Sequence, residues 1–241
     1  MNLKSPLWRI GFRPFFLLAG LFSIFSILIW MGLYGFSMPV LPSSIPIMTW
    51  HAHEMIYGYT MAVIAGFLLT AVRNWTQLDT LSGKPLAVLV VLWCIARVLV
   101  FSTLDLLWIT AIVDISCLMG LLVGIGIPII RSKNWRNIGV LAKILFFIIF
   151  NTVFYLGTLG LLPGGVRIGI YGGLYLIVAL IITIGARVIP FFTEKGVASP
   201  ITLPKRPWLD SASLILFIPF YIGVLVSPTS KFVGALSLLL A

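Results

Sequence analysis

The chain has 241 residues, of which 61% are hydrophobic and only 9% charged, and its 16 Lys and Arg against 6 Asp and Glu leave a formal net charge of +10. A soluble domain carries roughly 25% charged residues, so this composition excludes an ordinary water-facing surface. The basic residues fall in short clusters between apolar runs rather than in one dense stripe, which argues against a nucleic-acid binder and for a bilayer.

A hydrocarbon core of ~30 Å takes ~20 helical residues at ~1.5 Å each. The apolar runs predict an all-α, polytopic transmembrane helix bundle of about seven complete spans. In chain order they lie near Pro14–Tyr34, Pro46–Val72, Pro85–Ser102, Leu106–Ile130, Ile138–Leu162, Gly169–Phe192 and Leu209–Ser227. A partial eighth run begins at Phe232 and reaches Ala241 after 10 residues. The first run is too long for the ~7–15-residue apolar stretch of a signal peptide, and no small-residue cleavage site follows it closely. Residues 1–241 read as a single transmembrane domain without a soluble domain, a repeat of fixed period or a low-complexity tract. The interval Glu194 to Asp210, with Pro200, Pro204 and Pro207, reads as a stiff loop.

Lys and Arg accumulate in cytoplasmic loops, and this sets the orientation. With the N-terminus inside, Lys4, Arg9, Arg13, Arg73, Lys84, Arg131, Lys133, Arg136, Arg187, Lys195, Lys205 and Arg206 are cytoplasmic, against Arg167 and Lys231 outside. The sequon Asn74-Trp75-Thr76 then faces the cytoplasm, where it is not glycosylated. Cys94 and Cys117 sit inside apolar segments and read as small buried hydrophobes.

Ionisable groups inside a membrane are functional candidates by default. Arg97 in the third helix and Asp114 in the fourth come to nearly the same depth, as an ion pair between consecutive helices or with Arg97 free to bind an anionic ligand group. The densest polar cluster, Trp50-His51-Ala52-His53-Glu54-Met55, opens the second helix at its outer end and holds both histidines of the chain. At about 100° per residue His51 and His53 face nearly opposite ways, while His51 shares a face with Glu54 and Met55. That stripe continues through Gly58, Ala62 and Gly66, small residues that let something flat or another backbone approach. Imidazole is a common metal and haem ligand, and the Met55 thioether suits copper. His51, His53 and Met55 are therefore the candidate metal ligands, with Glu54 and Arg97 completing a candidate cofactor site; no catalytic residue is assigned.

Four motifs carry a resemblance. Gly11-Phe12-Arg13-Pro14-Phe15-Phe16, the histidine cluster, the run from Gly66 through Thr70-Ala71-Val72-Arg73 to Thr76, and Gly185-Ala186-Arg187-Val188-Ile189-Pro190-Phe191-Phe192-Thr193 together resemble the NnrS family, over Arg9 to about Ala198. The resemblance implies a bacterial inner-membrane protein of the nitric oxide response that carries haem b and copper. It also implies roles for Arg13 at the inner face and Arg187 on the sixth helix. Members typically have about twelve spans, so the chain looks like the N-terminal portion, its site completed by further C-terminal helices or a second subunit.

Two functions remain open. One is a haem- or copper-binding membrane protein acting in the response to nitric oxide and nitrosative stress, with the bilayer and nitric oxide or a related small molecule as its partners and no nucleic acid. The other is a transporter whose polar pathway uses Glu54, Arg97 and Asp114. A respiratory haem-copper reductase is excluded, because it needs more imidazoles than the 2 histidines present.

Overall fold

The computed structural model describes residues 5–36, 45–100, 104–197, 201, 203, 207–227 and 229–240. Every regular element among them is helical. In chain order the helices are α1 (Phe12–Gly35), α2 (Ile47–Thr76), α3 (Gly83–Leu99), α4 (Leu104–Arg131), α5 (Ile138–Thr158), α6 (Gly165–Gly196), α7 (Pro207–Val226) and α8 (Lys231–Leu240). Among the described residues, five helices are long and apolar enough to cross a membrane: α1, α2, α4, α5 and α6. Sequence predicts about seven spans; α3 has 17 residues, about 25 Å of helix, and the apolar part of α7 is Ile215–Val226. Ser102, the predicted end of the third span, lies outside the described residues, as do Lys4, Lys205 and Arg206 of the charge argument and Pro200 and Pro204 of the predicted loop.

The helix starts follow from proline chemistry. Pro14, Pro85 and Pro207 sit in first turns, where a missing N–H leaves no gap in the ladder, and Pro46 immediately precedes α2. Helix α2 ends at Gln77, whose φ of 56° puts it in the left-handed region and turns its N–H back onto the Arg73 carbonyl at 2.9 Å. Within α2, Glu54–Thr60 forms a π-helical stretch, and Thr60 Oγ1 donates to the Met55 carbonyl at 2.7 Å across that wider turn. Such stretches are rare and frequent at functional positions.

The chain divides into two compact units, residues 1–173 and 174–241. In the first, α2 packs against α1, α3 and α4, and α4 against α3 and α5. Its partition of residues suits lipid rather than water. Along α1, Phe15, Ala19, Phe22 and Ser26 turn inward at helical spacing while Leu17, Leu21, Ile24, Phe25 and Leu28 lie exposed. Meanwhile the charged residues Glu54, Arg97 and Asp114 are buried. In the second unit α7 and α8 pack together, with Phe217, Phe220 and Tyr221 ringed around Tyr175.

Candidate functional site

The first unit holds five polar side chains from four helices, bonded in a closed ring. His53 and Glu54 come from α2, Arg97 from α3, Asp114 from α4 and Asn151 from α5. His53 Nδ1 lies 2.9 Å from Glu54 Oε1, and Arg97 Nη1 donates to both Glu54 oxygens at 2.9 Å. The other arm of the guanidinium, Nη2, donates to Asp114 Oδ1. Asp114 Oδ2 accepts from Asn151 Nδ2 at 2.9 Å, and Asn151 Oδ1 returns to His53 Nε2 at 2.9 Å. Tyr155 hydroxyl adds a bond to Asp114 Oδ2 at 3.1 Å.

Asn151 must turn its NH₂ to the Asp114 carboxylate, so its oxygen faces His53; the Glu54 carboxylate faces the other ring nitrogen. Each imidazole nitrogen of His53 thus has an oxygen within hydrogen-bond distance. The Arg97 guanidinium lies between the two carboxylates, Glu54 and Asp114, and binds both. Charges removed from water are tolerable only when paired and hydrogen-bonded in this way. Phe154 stacks on the His53 ring with centroids 4.2 Å apart, and Tyr57 lies 5.0 Å away, so an aromatic wall shields the ring from lipid.

The small-residue stripe of α2 is filled by the protein itself. A Cβ on Gly58 would lie 2.9 Å from Arg97 Nη1, Glu54 Oε2 and Phe22 Cε1 alike. Glycine is therefore what lets the guanidinium cross α2 to reach Glu54. Trp93 Nε1 donates to the Gly58 carbonyl at 3.1 Å on the same side. Further along, Gly66 faces Phe15 of α1, and a methyl group in place of its hydrogen would lie 3.1 Å from the Phe15 Cβ.

His51 stands apart from the ring. Its imidazole stacks on Trp30 of α1 with centroids 4.7 Å apart, and Trp30 stacks in turn on Tyr34 at 5.4 Å. Its Nδ1 is buried without a hydrogen-bond partner among the described residues. The predicted site is thus divided: His53, Glu54 and Arg97 are brought together, whereas His51 faces α1, and Met55, half-buried, has no part in the ring. Among the described residues no three His, Cys, Asp or Glu side chains are grouped to hold a metal ion.

The NnrS protein family model matches residues 6–241. The chain belongs to the NnrS family. No curated protein and no solved structure matches it. Two of the motifs that carry the NnrS resemblance dock on one another. Phe12 N–H donates to Thr70 Oγ1 at 3.3 Å, and a Cβ on Gly11 would meet the Leu69 side chain at 2.5 Å. The histidine motif supplies His53 and Glu54 to the ring. Asn151 and Tyr155 belong to none of the motifs, and sequence reasoning misses them. The signal for them is depth: Asn151 lies seven residues before the end of α5 at Thr158 and Glu54 seven after the start of α2 at Ile47, each about 10 Å along its helix.

Proposed function

We propose that this NnrS-family chain is a bacterial inner-membrane protein of the response to nitric oxide and nitrosative stress, its N-terminus cytoplasmic and about seven of its helices crossing. Family membership supports the setting, and the division of the histidine cluster bears on the cofactor. A metal or haem iron needs an imidazole nitrogen that no protein group claims. His53 does not fit, since both its nitrogens are bonded within the ring. His51 fits: its Nδ1 is the one imidazole nitrogen buried without a partner among the described residues, and that observation carries the reading.

On this reading His51 would hold haem b or copper, with Met55 a soft ligand for copper and further helices or a second subunit completing the coordination. The bound group would supply the affinity for nitric oxide. The chain's own part is to hold α2 rigid: the ring fixes His53, and the stack of Trp30 on the imidazole fixes the plane of His51. The transporter alternative finds less support, because Glu54, Arg97 and Asp114 bind one another. The cavity that reaches Asp114 offers about 10 Å³, room for at most about one water.

The test is an absorption spectrum and metal analysis of the full chain purified from membranes, with growth under a nitric oxide donor as the cellular readout. His51→Ala should lose haem or copper and fail to complement. His53→Ala should lower thermal stability while the folded fraction keeps its cofactor. Full cofactor content in His51→Ala would overturn the assignment.

A further inference from the structure

The Arg73 end of α2, opposite the histidines, carries a second site. A cavity of about 500 Å³ opens there, within the ~300–1,000 Å³ range of small-ligand pockets. Its wall is built from three pieces of chain: Trp8 and Arg9 ahead of α1, Arg73 in the last turn of α2, and Asp79, Ser82 and Gly83 leading into α3. Each piece is tied down. Arg13 Nη1 donates to the Pro6 carbonyl at 2.7 Å and anchors the Pro6–Trp8 turn, while Asn134 Nδ2 bonds the Trp75 carbonyl at 3.0 Å beneath the α2–α3 loop.

The charges of this wall favour an anion. Arg9 has no acidic partner among the described residues, and Arg73 has Asp79 at 2.9 Å. That pair is open to water, its side chains 45% and 78% exposed, and exposed pairs hold weakly enough for a better anion to displace the carboxylate. Gly83, at φ +58°, begins α3 at the cavity wall, and Ser82 makes no side-chain capping bond there. Two guanidinium forks match the geometry of phosphate oxygens. Trp8 beside them is the residue type that sits at headgroup level.

We propose that this cavity binds a phosphate-bearing anion at the inner face of the membrane, held by Arg9 and Arg73, with Asp79 as the competing internal carboxylate. Two sources share that chemistry, the headgroup of an anionic phospholipid and soluble phosphate. The full chain in uncharged detergent is probed by native mass spectrometry with phosphatidylglycerol and with diacylglycerol, which lacks the phosphate, and by titration with inorganic phosphate. Arg9→Gln combined with Arg73→Gln should reduce retention of the phosphate ligand by about tenfold or more, as expected for losing charge-assisted bonds. Asp79→Asn should raise retention, since the competitor is gone, an effect that a merely structural salt bridge would not give. Arg131→Gln, a basic residue outside the cavity, should change nothing. Preference for phosphatidylglycerol over diacylglycerol identifies the lipid source, and binding of inorganic phosphate with the same variant dependence identifies the soluble one. Equal retention of phosphatidylglycerol and diacylglycerol with no binding of inorganic phosphate, or weaker binding in Asp79→Asn, would overturn the proposal.

Discussion

Replacing Arg97 with leucine removes three hydrogen bonds at once and leaves Glu54 and Asp114 buried without the guanidinium that binds both. Deleting one partner of a buried pair costs about 3–5 kcal/mol, and in a chain of this size each kcal/mol moves Tm by about 2–4 °C, so Arg97→Leu should melt about 6–20 °C lower. Neutralising Asp114 in the same chain restores the balance. Arg97→Leu with Asp114→Asn leaves one carboxylate, Glu54, beside the His53 imidazole, and an amide that still accepts from Tyr155. Coupling of about 0.5–3 kcal/mol is expected between such neighbours, which should place the double variant above the sum of the two single losses. Arg97→Lys should fall between leucine and wild type, because an ammonium keeps the charge but lacks the fork that spans Glu54 and Asp114. The assay is thermal unfolding of detergent-purified protein followed by size-exclusion chromatography. Additive losses in the double variant, or an Arg97→Leu protein that melts like wild type, would refute the ion-paired ring.

Gly58→Ala should lower stability by about 1–3 kcal/mol, the usual cost of overpacking, because its methyl would lie 2.9 Å from three side-chain atoms; Gly20→Ala, with nothing within 4 Å, should match or exceed wild type in the same melt. Asn151→Leu strands His53 Nε2, leaves Asp114 Oδ2 with the Tyr155 hydroxyl as its remaining donor and should cost about 1–3 kcal/mol or more, with Asn151→Asp no better, since it adds a third carboxylate. Reporter fusions after Lys133 and after Leu161 should give cytoplasmic and periplasmic signals respectively, and the reverse pattern would invert the topology.

Helix positions were legible because the length of an apolar run and the prolines at its start are local properties. The predicted second span, Pro46–Val72, starts within one residue of α2 and falls short at its C-terminal end, where Thr76 and Gln77 close the helix through side-chain and left-handed turns that hydropathy does not register. The pairing of Arg97 with Asp114 was legible from depth alone. What sequence could not show is that Glu54 joins them, since that requires α3 to cross α2 at Gly58, a matter of helix packing. The Gly58–Ala62–Gly66 stripe, read as letting something flat or another backbone approach, is filled by the protein itself: Arg97 and Phe22 crowd Gly58, and α1 comes close at Gly66 through the Phe15 side chain and the Phe12 backbone. Asn151 and Tyr155 escape because an uncharged amide and a phenol in an apolar helix do not stand out by charge. The divergence of His51 and His53 follows from the helical angle, yet which of them keeps a free nitrogen depends on Asn151, a residue 98 positions away from His53.

The closed ring also has a consequence for how the chain enters the membrane. An Arg or Asp at the centre of a lone inserting helix is unfavourable by about 2.5–3.5 kcal/mol, and Asp114 lies well inside the 28-residue α4, whereas Arg97 stands in the last turn of α3. Only four residues separate Leu99 from Leu104, so α3 and α4 can leave the translocon as one hairpin with Arg97 already matched to Asp114. Glu54 in α2 precedes that hairpin in the chain and Asn151 in α5 follows it, so the ring can close only once α5 is made. Integration of α4 should therefore depend on α3 standing beside it with Arg97 ready to pair Asp114, which makes the order of synthesis part of how this bundle is assembled.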